Sequence, residues 1–231
     1  MSNRETPAEK SLDRLRDAAA LLLWQYEAIR VRPEEPFELA SGNRSPIYVN
    51  CRRLISEPVF LGLFTAASRL LLELRGGLPD VVAGGETAGI PFASVLAAAL
   101  GRPMVYVRKK AKGYGLASRV EGHVAAGSRV LLVEDLITDG GSKLGFLDAL
   151  AEAGGEVRDA LVVFDRQQGG AELLGEREVR LHAVTDRGAA LAAGLDAGLL
   201  DGAARRSVEE YVAAPEAWHR ERGFPFQEGP G

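Results

Sequence analysis

Five short apolar runs constrain the fold of this chain most tightly. They are "DVVAGG" from Asp80, "MVYVRK" from Met104, "RVLLVED" from Arg129, "DALVVFD" from Asp159 and "VRLHAV" from Val179. Such runs, rich in β-branched and aliphatic residues, suit strands buried on both faces. Helical stretches lie between them. "AGIPFASVLAAALG" stops at Gly101, and "SKLGFLDALAEAGG" turns Leu144, Leu147 and Leu150 inward before a Gly154–Gly155 stop. Strands alternating with helices need crossover connections. The expected fold is therefore α/β, a parallel sheet covered on both faces.

The flanks fit one domain spanning residues 1–231. Residues 1–10 read as a disordered leader. Residues 11–30 have helical periodicity, with Leu12, Leu15, Ala19, Leu22 and Leu23 on one side. The Pro- and Gly-rich "RPEEPFELASGNRSPIYVNCRRL" suggests turns and short strands, so residues 11–56 form a helix and a small hood. Ser45 and Pro46 shape a turn there. Residues 58–74, 188–197 and 203–211 are helical, and 215–231 read as an irregular tail. Trp24 packs the first helix; Trp218 anchors the tail or joins an interface.

Charge and cysteine usage narrow the partners. The 28 basic and 32 acidic residues leave a formal charge of −4, which gives no global pull toward nucleic acid or an anionic membrane. Cys51 is the single cysteine, so no intrachain disulfide forms and a reducing compartment is expected. No histidine pairing marks it as a nucleophile, and it reads as a packing residue. The polar N-terminus lacks a signal-peptide core, and the apolar run at 18–24 falls far short of the roughly 20 residues of a membrane span. The cytosol is the expected location. His123, His182 and His219 lack metal-ligand spacing and read as surface or core residues.

Polar clusters follow four of the strands: "GGETAG", "RKKAKGYG", "EDLITDGGS" and "DRQQGG". Ligands of open α/β sheets gather at that edge. In "VLLVEDLITDGGSK", Gly140 and Gly141 let successive N–H groups turn inward, and a helix beginning near Ser142 adds its positive end. That half of the loop suits a phosphate. Glu134 and Asp135 suit neighbouring hydroxyls, such as a ribose diol, and can support Mg²⁺ through water. Acids and nest together suit a sugar phosphate. Arg108, Lys109, Lys110 and Lys112, followed by Gly113 and Gly115, suggest a mobile basic loop that closes over a polyphosphate and neutralises a departing charge.

These residues carry a resemblance. "VLLVEDLITDGGS" resembles the phosphoribosyl-pyrophosphate signature of type I phosphoribosyltransferases. With "FELASGNRSPIYVN", "RKKAKGYG" and "FDRQQGG", it resembles the orotate phosphoribosyltransferase family, in order from Phe37 to Gly170. The resemblance implies the type I fold with an N-terminal hood, and transfer of phosphoribose to orotate with Mg²⁺, yielding orotidine monophosphate and pyrophosphate in pyrimidine biosynthesis.

By the same resemblance, Glu134 and Asp135 hold the ribose hydroxyls. Leu136 and Ile137 complete the binding stretch, and Thr138, Asp139, Gly140, Gly141 and Ser142 form the 5′-phosphate loop. Thr138 also touches the base. Arg108, Lys109 and Lys112 grip pyrophosphate, with Lys109, Lys112 and Asp135 in the catalytic role. Arg166 pairs with orotate's carboxylate, where a planar fork is apt. Tyr48 and Asn50 line the base pocket or serve structure; Asp165 orients Arg166 or ends a strand. The family's basic loop, 108–115 here, reaches across a homodimer into the partner's site. Mg²⁺ arrives on substrate and water, with no direct protein ligand.

The chain departs from the family pattern in places. Tyr114 stands where many relatives have histidine, and Ala40 and Ala88 stand where lysines occur. Asp139 replaces a small neutral residue; its carboxylate is expected to point away from the phosphate. Three other readings are set aside. A purine or uracil phosphoribosyltransferase would have no carboxylate for Arg166, a non-catalytic regulator sensing the same sugar would want a basic face, and a phosphatase would want a close Asp-x-Asp pair. The length leaves no room for a fused decarboxylase.

Overall fold

Thr6 and Glu9 start the first helix. In the computed structural model of the chain, which describes residues 6–39, 41–110 and 119–227, α1 (Pro7–Gln25) opens with a capping box. The Glu9 N–H donates to Thr6 Oγ1 at 3.2 Å, and the Thr6 N–H donates to Glu9 Oε2 at 2.7 Å. The expected leader is therefore corrected over residues 7–10, which the box and Pro7 commit to helix. Trp24 fixes the helix as expected: its ring packs on Gly194 and its Nε1 donates to the Ala190 carbonyl at 2.8 Å.

The hood follows as short antiparallel pieces. Strand β1 (Ile29–Val31) pairs with β4 (Ile47–Val49), and β2 (Phe37–Glu38) pairs with β3 (Arg44–Ser45). Ser45 Oγ bonds the backbone of Ile47 and shapes the turn. A 3-10 turn (Cys51–Ser56) leads to α2 (Pro58–Arg75).

The sheet then builds from β5 (Val81–Gly85), α3 (Gly89–Leu100), β6 (Met104–Val107), β7 (Val120–Glu121) and β8 (Arg129–Ile137). Next come α4 (Gly141–Glu152), β9 (Glu156–Asp165), α5 (Gly170–Glu176), β10 (Arg180–Asp186), α6 (Arg187–Asp196), α7 (Gly202–Ala213) and α8 (Pro215–Glu221). The strand order is β10-β9-β8-β5-β6-β7, parallel except at β7. The expected parallel sheet is present. Residues on one face, including Val82, Leu131, Val133, Leu161 and Val163, join the core under α1, α2, α3 and α6. Val81, Ala83, Val130, Leu132 and Val162 join the core under α4 and α5.

Two expectations change. The stretch after the basic loop includes β7, paired antiparallel with β6, so Val120 and Glu121 belong to the sheet edge. Residues 111–118, with Lys112, Gly113, Tyr114 and Gly115, lie outside the described residues, as does Ala40. The tail is not irregular throughout, because Pro215 starts α8 and buries Trp218 and His219. Trp218 meets Tyr211 edge-on at 5.3 Å and anchors the segment. His219 Nε2 accepts the Arg44 N–H at 2.9 Å, while Asn43 and Gln227 exchange two bonds of 2.8 Å, tying the tail to the hood. Among the described residues no helix is long and apolar enough to cross a membrane.

Candidate active site

Strands β5 and β8 are neighbours, but the chain leaves them in opposite directions along the sheet: β5 leads to β6, and β8 to β9. Open α/β sheets bind ligands at the carboxyl ends of strands flanking such a switch. A cavity of about 410 Å³ lies there, lined by Glu86, Thr87 and Ala88 after β5, Lys109 after β6, and Glu134, Asp135 and Leu136 in β8. Ser142, Lys143 and Phe146 of α4, Arg119, and Val49, Asn50 and Arg52 from the hood side close it.

The structure thus brings Lys109, Glu134, Asp135, Leu136 and Ser142 together. The acids are not in a loop, since β8 continues through them to Ile137. Asp135 is half-buried and faces the cavity. Glu134 is 6% exposed, its Oε2 bonded to the ammonium of buried Lys143 and its Oε1 buried without a partner among the described residues. Burial pushes the Glu134 carboxyl above its usual range, and Lys143 opposes the shift. Ile137 is corrected as a binding side chain: it is 1% exposed, packed in the core beneath α4 and α5, and does not line the cavity.

The glycine turn differs in one contact. Gly140 caps α4 with φ +85°, a conformation that favours glycine. The Asp139 carboxylate does not point away: its Oδ1 accepts the Gly141 N–H at 2.9 Å. An Asp side chain reaches the amide two residues on without strain, so it occupies one nest donor. Thr138, Asp139, Gly140 and Gly141 sit just outside the cavity walls, with Ser142 the first to line them.

The basic residues separate. Lys109 lines the cavity of its own chain, and its N–H donates to Glu86 Oε2 at 2.7 Å. Arg108 lies instead against Glu121, with its N–H on the Arg119 carbonyl at 2.8 Å. Arg119, unmarked in the sequence reading, takes the wall position and donates to the Arg108 and Gly145 carbonyls. Lys143, Glu86 and Phe146 were also unmarked. A lysine directly after a phosphate nest was the one available signal.

Arg166 follows β9 as a half-buried cation, its own N–H on the Ile137 carbonyl at 3.0 Å. Burial lowers its proton affinity, and among the described residues no carboxylate pairs with its guanidinium. Burial raises the Cys51 thiol far above its ordinary range, and the nearby charge of Asp135 raises it further, which leaves it inert. Asp165 accepts the Gln167 N–H at 2.7 Å and ends the strand. Asn50 reaches the cavity, while Tyr48 stacks near Phe37 and under Arg30 in the hood. His182 and His219 are buried in hydrogen bonds and His123 is exposed, as packing and surface residues.

Gly85 and Gly89 shape the floor. A Cβ on Gly85 would meet Glu134 Oε1 at 2.0 Å and Phe146 at 2.7 Å. Gly85→Ala is expected to cost about 1–3 kcal/mol by overpacking, seen as a Tm several degrees lower in a thermal melt. An unchanged Tm would show that the slot has spare room.

Comparison with known proteins bears on the same region. The family model described as "Phosphoribosyl transferase domain" matches residues 57–187. The orotate phosphoribosyltransferase of Cereibacter sphaeroides is 43% identical over 94% of each chain. This chain belongs to the orotate phosphoribosyltransferase family. Among solved structures, orotate phosphoribosyltransferase from Aeropyrum pernix aligns with a TM-score of 0.66 and 34% identity, over 79% of this chain and 99% of that one. The Mycobacterium tuberculosis orotate phosphoribosyltransferase in complex with 5-phospho-α-D-ribosyl 1-diphosphate aligns at 0.61 and 26% identity, over 82% and 99%. The type I fold expected for this chain is thereby present.

Proposed function

We infer that this member of the family transfers phosphoribose from phosphoribosyl pyrophosphate to orotate, a step of pyrimidine biosynthesis. Arg166 carries the reading: a half-buried guanidinium without an acid among the described residues suits a ligand that brings its own carboxylate. Neutral purines and uracil bring none. The sugar lies in the cavity with its hydroxyls toward Asp135 and its 5′-phosphate on the α4 turn. As the bond from the anomeric carbon to pyrophosphate breaks, orotate's ring nitrogen bonds to that carbon and gives up its proton, which the departing pyrophosphate or solvent takes. The ring gains oxocarbenium character, and Lys109 and Arg119, joined by Lys112, meet the departing charge.

The donor set fits Mg²⁺ carried on the substrate. Hard carboxylate oxygens at Glu134 and Asp135 suit such an ion, and among the described residues no three His, Cys, Asp or Glu form a cage. Asp135 would hold it through water. Bound there, it would offset charge on the leaving pyrophosphate.

A homodimer completes the site, with the loop beyond Lys110 crossing to the partner. Helix α2 supplies a face for it: Val59, Leu63, Ala66, Leu70 and Leu74 share one side, and Val59 and Leu74 are 66% and 39% exposed. Pairing Val59→Asp with Leu74→Asp should convert dimer to monomer in sedimentation and lower turnover at least tenfold. Full activity in a monomer would remove the loop's role in trans. The lone buried thiol suits a reducing cytosol.

The direct test is pyrophosphate release with orotate, adenine, hypoxanthine and uracil in parallel. Orotate should be strongly preferred. Preference for any other base ends this reading.

A further inference from the structure

The hood hairpin, β2 with β3, is a two-stranded sheet that pairs only Phe37 with Ser45 and Glu38 with Arg44. Such a hairpin is marginal by itself in water. None of its described apolar side chains joins either core; the buried residues between 37 and 45 are Asn43 and Ser45, both polar. One end is held by Phe37, whose ring lies 5.5 Å from that of Tyr48 and under the Arg32 guanidinium. The other end, the turn from Gly42 to Arg44, is held by the tail. Asn43 and Gln227 exchange their two bonds there, and the Arg44 N–H reaches His219 Nε2.

His219 is set to accept that bond. A backbone N–H only donates, so Nε2 carries no proton; Nδ1 carries it and donates to the Pro215 carbonyl at 2.6 Å. The ring is fully buried, with the rings of Tyr211, Trp218, Phe224 and Phe226 centred 5.1 to 6.5 Å away. From Arg44 the chain passes Ser45, whose hydroxyl bonds the Ile47 backbone, and enters β4. Val49 and Asn50, just beyond, stand on the cavity wall.

We propose that His219 is a positioning residue for the reaction: α8 presents its Nε2 to the Arg44 amide and so holds the hood hairpin, and through β4 the Val49–Asn50 wall, in the shape that receives the substrates. The proposal rests on the functional reading above. The tail thereby acts on ligand binding without lining the cavity. Without this latch the hood opens locally, only the closed fraction binds, and apparent affinity falls by that fraction. Bound ligand closes the wall again, so the chemical step proceeds as before.

The test pairs hydrogen exchange of the hood, read by mass spectrometry on the free protein, with steady-state constants for phosphoribosyl pyrophosphate and orotate. His219→Ala should speed exchange in the peptide spanning residues 37–45 by about tenfold or more. The ratio kcat/KM should fall about tenfold for each substrate, while kcat stays within about threefold. In His219→Gln the amide oxygen accepts the Arg44 N–H, and both readouts should return to within about threefold of wild type. Should His219→Ala fail to fold, Asn43→Ala carries the test. It cuts the Gln227 pair from the hood side, leaves α8 packed, and should raise hood exchange and lower kcat/KM in the same way.

Wild-type hood exchange or wild-type kcat/KM in His219→Ala, or in Asn43→Ala where that variant stands in, would overturn the proposal. So would a loss confined to kcat, which places the effect on the chemical step, or no recovery in His219→Gln, which removes the acceptor role. A wild type that releases no pyrophosphate with orotate removes the functional reading. An active wild type whose hood stays closed without His219 removes this inference alone.

Discussion

Alanine at Lys109 is expected to cut kcat for pyrophosphate release by roughly 10²–10³-fold, the usual effect of removing one donor aimed at developing charge. The substitution separates side chain from backbone. The Lys109 N–H holds Glu86 at 2.7 Å whichever side chain is present, so the loop's anchor to the segment after β5 survives. Lys109 lines the cavity, and its charge acts on Glu134 there. Substrate KM values should move less than kcat, because leaving-group charge grows most in the transition state. Lys112→Ala should act in the same direction from the other end of the loop. Rapid-quench measurement of pyrophosphate, with a melt to confirm folding, checks both. Turnover near wild type in both variants would contradict the basic loop's role.

Arg166→Leu should weaken orotate by about 2–4 kcal/mol, or on the order of 30- to 700-fold in its KM, with the constants for the sugar nearly unchanged. Charge-assisted, two-pronged pairing is lost, and nothing nearby replaces it: among the described residues the neighbouring cation, Arg187, donates to the Arg166 carbonyl at 2.8 Å and faces no ligand in that bond. Removing an unpaired half-buried cation relieves a desolvation cost, so the variant should melt no lower than wild type. Arg166→Lys keeps charge without the fork and should fall between the two. An orotate KM unmoved by Arg166→Leu would take the residue out of the base pocket.

Much of the fold was legible because buried parallel strands leave continuous apolar runs, and Gly101 and Gly154 punctuate the helices between them. Periodicity carried the strand to Glu134 and Asp135 but could not show that β8 continues through Leu136 and Ile137, since charge in a strand looks like its end. What keeps the strand going is the pairing of Glu134 with Val162 and of Ile137 with Asp165 on β9. Helix α8 escaped notice for a related reason. Its burial depends on Tyr211, Ser207 and the hood turn at Arg44, contacts distant in sequence. The helix start at Pro7 was readable from the Thr6–Glu9 spacing, and the polar composition of the first ten residues obscured it.

The site divides in the same way. Motif order singled out Asp135, Lys109 and Ser142, which line the cavity, and Arg166, which follows β9 outside that lining. Arg119 and Lys143 reach the cavity wall through geometry that no local pattern announces. One lies past the loop, brought back by β7; the other is on the helix turn over β8. Asp139 shows the converse: chemistry suggested repulsion from a phosphate turn, whereas its short side chain satisfies the Gly141 amide.

The most direct measurement of the central claim is a crystal structure with phosphoribosyl pyrophosphate and Mg²⁺ bound. The ribose hydroxyls should lie on the Asp135 carboxylate, and the 5′-phosphate should displace Asp139 from the Gly141 amide to take the turn between Thr138 and Ser142. Density for the sugar away from the β5–β8 edge, with the Asp139 contact intact, would contradict it.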